Sequence, residues 1–417
     1  MALPVFALIA SLIANWVASE NIIGLTGTVA CNHLLPAILL DPIGAAFSLV
    51  LLGILLGPYA GQHTSLSSIV IKRYGSFVGG IGSFLSLTGS ILWAAAQYKA
   101  VVQLVQASAV LPEGITEPIV TLGLFLWTVI GGLAADVWFD FISMLLVAPL
   151  LLIMGLRAVA TVPSEALIAE AEHSQVAVFS SGAMNSFAVG MLGNLFTEEL
   201  AGRILLARTS ASARIACFTA ALLFSIIGLA PAALGLWARS MPNVLLRDEG
   251  TSLCKGRQDQ IIAAVLPHLL PSFLLRAQSL LSILLIIESL NTVDTSILMC
   301  ASVLETQALR ILPAFPVPHT HVACICVALA LVVGVSRAGE NVWDLAESAT
   351  GAGGAPLAVL CVFLPWKFGG AKSGFAGMIT SEMVYLLLVA SDKANQMPYV
   401  FSALSGVAAY VLTHKFL

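Results

Sequence analysis

The chain is a succession of apolar stretches long enough to cross a lipid bilayer, joined by connections too short to fold on their own. Of its 417 residues only 10% are charged and 59% are hydrophobic, whereas an ordinary soluble domain is about one-quarter charged. Mean hydropathy is +0.98. A soluble core of this size would leave far too much apolar surface facing water. In lipid, every backbone amide and carbonyl must be satisfied within the protein, which restricts spanning structure to helices and closed barrels. A spanning helix needs about twenty mostly apolar residues. Twelve segments qualify, near 4–30, 37–57, 77–109, 118–133, 137–157, 176–196, 214–238, 276–304, 316–336, 341–365, 372–390 and 396–414. The chain therefore reads as an all-α polytopic membrane protein.

Other features bound the reading. The fourth and fifth segments run close together through Gly131 to Asp136, and residues 259–271 suggest a short surface helix before the eighth. Met1 to Pro4 contain no basic region, so the first apolar stretch reads as retained. Seven scattered cysteines read as small core residues. A net charge of −4 argues against a nucleic-acid partner. No phosphate-cradling loop or catalytic constellation is present, which disfavours an ATP-driven pump or an enzyme. Lys72, Arg73, Arg203, Arg208, Arg214, Arg310, Lys367 and Lys372 fall on one side if the N-terminus is inside. By the positive-inside rule both termini are then cytoplasmic, in a plasma or bacterial inner membrane.

The eighth segment carries a polar run inside its apolar length, Glu288-Ser289-Leu290-Asn291-Thr292-Val293-Asp294-Thr295-Ser296. At helical spacing Glu288, Asn291, Thr292 and Thr295 share a face, a stripe of oxygen atoms. Oxygens at membrane depth are costly and usually mark an ion or substrate path. The first segment has a polar interruption of its own, Asn15-Trp16-Val17-Ala18-Ser19-Glu20-Asn21 followed by Gly24 and Gly27. Local unwinding there would free carbonyls toward a protein cavity. Five segments later Gly182, Asn185, Gly190, Gly193 and Asn194 repeat the theme. Interrupted helices in corresponding positions of two halves point to an inverted-repeat transporter. For the sixth segment, glycines that only permit close helix packing remain an equal reading.

These residues resemble the solute–sodium symporter family, which includes the sodium/glucose cotransporters. Ser11 to Gly24 resemble its first core helix, and Lys72-Arg73-Tyr74-Gly75 with Ala95-Ala96-Gln97 its third. Gly131-Gly132-Leu133 with Val137-Trp138-Phe139-Asp140 resemble its fourth-to-fifth signature. Asn291 to Thr295 resemble its Ser-Thr-x-Asp-Ser pattern, and Pro365-Trp366-Lys367 the ending of its tenth helix. The resemblance implies a leucine-transporter-type core of five plus five helices, about 12 transmembrane helices in all. That core would span residues 1–366, with repeats of about 1–158 and 174–366, and residues 367–417 would add two helices. It implies a sodium site between the first and eighth helices, built from the carbonyls of Ala14, Val17 and Glu288 and the side chains of Asn291 and Thr292. A second sodium would use Asp140, Asn291, Asp294 and Thr295, although helix capping competes as a role for Asp140. The substrate, a small polar solute, would bind near the midplane.

Three departures from the family bear on coupling. The chain is expected to lack the family's extra helix before the first core helix, Asn291 replaces a serine, and Glu288 replaces a small residue. Na+ is a hard cation that suits oxygen ligands, but a carboxyl beside the ion could instead exchange a proton. The expected function is therefore a secondary active sodium symporter. The alternatives are a proton-coupled symporter of the same fold or a non-transporting solute sensor, the latter disfavoured by the lack of a signalling domain before Leu417. The expected substrate contacts are Asn15, Asn21, Trp93, Gln97 and Asn194, with no obligate protein partner. Asp344, Glu347 and Thr350 read as a hydrated vestibule or as direct contacts. Glu198, Glu199 and Arg203 read as a solvated or ion-paired cluster at the cytoplasmic end of the sixth span, and His319 and His321 as solvent-facing loop residues.

Overall fold

The computed structural model describes residues 3–17, 20–32, 34–63, 65–107, 112–131, 133–168, 170, 180–241, 254, 261–269, 275–311, 317–338, 354–366, 368–391 and 397–416. Apart from an isolated bridge between Leu3 and Ala207, the regular structure among these residues is helical. In chain order the α-helices are α1 (Val5–Ala14), α2 (Thr26–Cys31), α3 (Leu34–Ile38), α4 (Ala45–Leu55), α5 (Leu66–Ala107), α6 (Glu113–Ile130) and α7 (Leu133–Thr161). There follow α8 (Ser181–Leu192), α9 (Glu198–Leu205), α10 (Ser210–Ile227), α11 (Leu229–Ser240), α12 (Ile261–Leu269) and α13 (Leu275–Ile311). The last four are α14 (Val317–Ala338), α15 (Ala355–Val362), α16 (Ala371–Ala390) and α17 (Pro398–Phe416).

Seven helices among the described residues are long and apolar enough to cross a membrane. Their outward faces carry large apolar side chains, among them Leu156 at 71%, Phe77 at 70% and Leu387 at 66% exposure. So much apolar surface suits lipid rather than water. The first and sixth predicted spans are each split. The first is α1, then a π-helical turn over Glu20–Leu25 leading into α2. The sixth is α8, a 3₁₀ turn over Gly193–Phe196, and α9. Chain connectivity is thus interrupted at the two predicted places.

The core lies where α13 meets α5, α7, α9 and α14, and where α1 packs on α7 and α10. Close approach depends on small residues. A Cβ on Gly53 of α4 would stand 2.8 Å from Cys217 of α10, and one on Gly235 of α11 would stand 2.5 Å from the Thr26 carbonyl. In a bundle without a hydrophobic drive between helices, such contacts provide much of the association. The α5 helix bends at Gly75, whose φ of 87° is left-handed. That bend follows Tyr74, whose hydroxyl donates to the Leu360 carbonyl at 2.9 Å. The α16–α17 hairpin leans on α15, with α17 also touching α8.

Three readings need correction here. Residues 259–271 do not simply lie at the surface: in α12, Ile261, Ile262, Val265 and Leu269 are buried against α11 and α2. The cysteines are not all passive core residues, since Cys31 and Cys254 form a disulfide across a sequence separation of 223. Nor is His321 in a loop; it lies on α14, with its Nδ1 2.8 Å from Glu305 Oε2. The side chains of Glu20 and His319 and residues Ala18, Ser19, Gly132, Asp344, Glu347, Thr350, Gly351, Gly353 and Lys367 lie outside what is described.

Candidate functional site

The polar run of the eighth segment sits inside α13, which passes through it unbroken. Its apolar residues on either side keep the helix in the core, so its oxygens have only other helices to face. Glu288, Asn291, Thr292, Asp294 and Thr295 are all buried, at 0–1% exposure. In the same region α1 stops at Ala14, where the amides of Asn15, Trp16 and Val17 turn back to Ser11 and Ile13, and side chains of α7 and α9 bridge that end to the stripe. An apolar helix ending in the middle of a bundle next to an oxygen stripe is a local setting for cation binding. The Thr292 hydroxyl donates to the Glu288 carbonyl at 3.2 Å, so two of the predicted sodium ligands are neighbours.

From α7, Asp140 reaches the same region. Its Oδ1 accepts from Asn291 Nδ2 at 2.5 Å and its Oδ2 from the Ser11 hydroxyl at 2.5 Å. One turn earlier Asp136, also buried, accepts from the Thr295 hydroxyl at 3.3 Å. The Thr295 hydroxyl lies as well 3.0 Å from the Asn291 carbonyl of its own helix. Neither carboxyl oxygen of Glu288 closes a hydrogen bond of ordinary geometry, and the same holds for Asp294 and for the amide oxygen of Asn291.

The centre of this network is Arg203, on α9. Its side chain is fully buried. Nε donates to Ser11 Oγ at 2.7 Å and Nη1 to Asn15 Oδ1 at 2.6 Å. Nη2 donates to Thr295 Oγ1 at 3.1 Å and lies 3.4 Å from Asp140 Oδ2. Glu198, Glu199 and Arg203, expected as a solvated or ion-paired cluster at the cytoplasmic end of a span, are instead all buried, and the ion pair of Arg203 is with Asp140. The apolar residues Leu200, Ala201, Ile204 and Leu205 between and after them are buried, so α9 carries all three charges into the core. Glu199 accepts from the Ser90 hydroxyl at 3.3 Å, and Glu198 binds the first residues of α5.

The predicted substrate contacts do not form one cluster of free polar groups. Asn15 gives its oxygen to Arg203. Asn21 donates to Asp41, and Asn194, in the 3₁₀ turn, donates to the Gly190 carbonyl of the preceding α8 at 3.1 Å. Trp93 and Gln97, both on α5, are buried, and Trp93 meets Trp16 edge-on at 6.4 Å. Sequence reasoning missed Ser11, Asp136 and Arg203 as members of the site. For Arg203 a signal existed: the apolar pattern continues past it, so it cannot mark a span's end.

Beside α9 a cavity of about 620 Å³ opens to the surface, lined in part by His63, Glu198, Gly202, Arg208, Met299 and Ser302. It runs along Met299, Ser302 and Val303 of α13 and reaches Glu198 and Gly202 of α9. On its rim, partial burial and then the charge of Lys72 hold the His63 imidazole below its ordinary value.

No protein-family model matches the chain, and no curated protein matches it. Solved structures do. A Na+-coupled sialic acid symporter in a substrate-bound outward-open state superposes with a TM-score of 0.80 at 16% identity, covering 100% of this chain and 90% of that one. Mhp1, a nucleobase-cation-symport-1 family transporter, gives 0.60 at 13% identity over 99% and 92%. MhsT in complex with L-phenylalanine gives 0.57 at 13% identity over 98% and 97%. At these identities the likeness is one of fold, and that fold is the leucine-transporter type of multi-pass membrane transporters.

Proposed function

We propose that this chain is a secondary active symporter that moves a small polar solute together with sodium by alternating access. The observation that carries the proposal is a first helix broken after Ala14 whose end, Ser11 and Asn15, is joined through Asp140 and Arg203 to Asn291 and Thr295 of the buried oxygen stripe on α13. The whole-chain likeness to a sodium-coupled symporter supports it. Sodium would lie between those helices, held by the carbonyls of Ala14, Val17 and Glu288 with the side chains of Asn291 and Thr292. Bound there, it would favour the substrate-competent arrangement by a differential affinity for that state. The five-plus-five repeat over residues 1–366, with two further helices over 367–417, is part of the same reading. So is a substrate place near Asn15, Asn21, Trp93, Gln97 and Asn194.

The Cys31–Cys254 disulfide supports an N-inside orientation. Disulfides persist outside the reducing cytosol, and in that orientation both cysteines fall on the outer side. One observation favours a second reading, proton coupling: the Glu288 carboxyl, beside the proposed ion, closes no ordinary hydrogen bond.

The test is thermal unfolding of the purified chain in sodium against potassium at constant ionic strength, for the wild type and Thr292→Ala. A ligand of the folded state raises apparent stability. Sodium-specific stabilisation that weakens in Thr292→Ala is the expected result. Unchanged sodium stabilisation in Thr292→Ala would remove that residue from the site. Equal stability in both salts, with uptake that follows a pH gradient, would replace sodium by the proton.

A further inference from the structure

We propose that Arg203 is a cation supplied by the chain itself, standing where a second sodium would bind, so that Asp140 and Thr295 hold a guanidinium rather than an ion. This rests on reading the chain as a cation-coupled transporter and concerns which of its cation positions are open to solvent ions.

The argument begins with donors and acceptors. Guanidinium has five N–H donors in a rigid fork and accepts nothing. Here three of its nitrogens meet four oxygens: Ser11 Oγ, Asn15 Oδ1, Thr295 Oγ1 and Asp140 Oδ2. These come from α1 and the turn after it, from α13 and from α7, and the last two are the helices that would furnish a second sodium. Sodium would need the lone pairs that these contacts consume. Asp140 shows this most clearly. An ionised carboxylate offers about four lone-pair sites; donors from Ser11, Arg203 and Asn291 take three of them, and Oδ2, the oxygen facing Thr295 through Arg203, takes two.

Asn291 gives a second, independent observation. As a sodium ligand of the second position it would have to aim its amide oxygen there. Instead it aims its NH₂ at Asp140 Oδ1. The reversed amide would place oxygen against carboxylate oxygen, so the hydrogen-bonding network fixes this orientation. Asn291 thus points a donor into the second position and leaves its oxygen for the first.

Charge completes the case. Asp136, Asp140, Glu288 and Asp294 are all buried within this region, and Arg203 is the cation hydrogen-bonded into it. Arginine keeps its charge across the pH range of proteins. It therefore supplies at all times the positive charge that an exchangeable ion would supply only when bound. A sodium ion held by Asp140 and Thr295 would stand in direct contact with the guanidinium, where buried surroundings screen the repulsion poorly. Because Arg203 belongs to α9, the tether also joins the second half of the broken sixth span to α1, α7 and α13. An ion in that position would leave with the cargo. The guanidinium stays, so it adds no ion gradient to the driving force. The consequence is transport coupled to at most one sodium per cycle.

The experiment counts ions on the full chain in nanodiscs, by equilibrium binding of ²²Na⁺, alongside sodium-dependent thermal unfolding. Wild type is expected to bind no more than one sodium per chain. Arg203→Ala is expected to bind one more than wild type, and Asp140→Asn with Arg203→Ala to lose that additional ion. In Arg203→Ala, methylguanidinium should raise the unfolding temperature and displace the additional sodium. Wild type binding two sodium ions would overturn the proposal. So would folded Arg203→Ala with the wild-type count and no response to methylguanidinium. A wild type that binds none, with one gained in Arg203→Ala, would refute the sodium assignment between α1 and α13 and support the role of Arg203. Should Arg203→Ala fold only when sodium or methylguanidinium is present, that dependence is the expected replacement of one cation by another. Should it fold with neither, while the double variant also fails, the wild-type count alone decides.

Discussion

Glu198→Ala tests the joint between α9 and the start of α5. Glu198, on α9, places Oε2 2.8 Å from the Leu66 amide and Oε1 2.8 Å from the Ser67 amide, and also accepts from the Ser67 hydroxyl. Leu66 and Ser67 open α5, where the first amides have no partner inside the helix and the dipole favours negative charge. The carboxylate thus acts as a cap supplied from a distant part of the chain. Its removal leaves three donors without their acceptor. Each buried donor left unpaired costs about 1–3 kcal/mol. Glu198 also lines the cavity beside α9, through which water can reach the same donors, so the lower part of the range applies. The expected loss is about 2–4 kcal/mol for Glu198→Ala. Glu198→Gln keeps one acceptor oxygen but turns an NH₂ toward a backbone N–H, and should lose about 1–2 kcal/mol. The assay is unfolding of the purified chain in mixed micelles by titration with dodecyl sulfate. A Glu198→Ala variant within about 0.5 kcal/mol of wild type would refute the capping argument. A glutamine variant as damaging as the alanine would show that charge, not hydrogen bonding, holds the joint.

A Cβ on Gly190 would stand 2.0 Å from the Leu40 carbonyl oxygen, whereas one on Gly182 of the same helix meets nothing within 4 Å. Gly190→Ala should therefore fail to yield folded protein by size-exclusion chromatography, and Gly182→Ala should behave as wild type. Gly75 has a φ of 87° with open space around it, so Gly75→Ala should cost about 1–2 kcal/mol through backbone strain alone in the same micelle titration. In intact cells, Cys31→Ser should expose the Cys254 thiol to a membrane-impermeant maleimide applied from outside. No labelling from outside, with labelling after permeabilisation, would reverse the proposed orientation.

Much of the fold was legible because lipid is a demanding solvent. Apolar length reports a span, and polar or glycine residues in mid-span report a break, so the divided first and sixth spans could be read from local sequence. The oxygen stripe of α13 was legible for the same reason, since helical spacing alone places Glu288, Asn291, Thr292 and Thr295 together. The sixth span shows where local signals merge. Gly190 serves close packing and Gly193 begins the 3₁₀ turn, so the two readings of that segment apply to different glycines.

What no local pattern could supply is which distant residue meets which. Arg203 lies 192 positions from Ser11, Glu198 132 from Leu66, and Cys31 223 from Cys254. Periodicity describes the faces of one helix and carries no record of the face packed against it. The sequence by itself determined that the chain is a helical membrane bundle with a broken first span and a polar stripe at depth, and it left the sixth span equally open to a break or to close packing. Only tertiary structure decided that the cation beside Asp140 belongs to the chain, because a buried arginine takes its meaning from acceptors that three other helices bring to it.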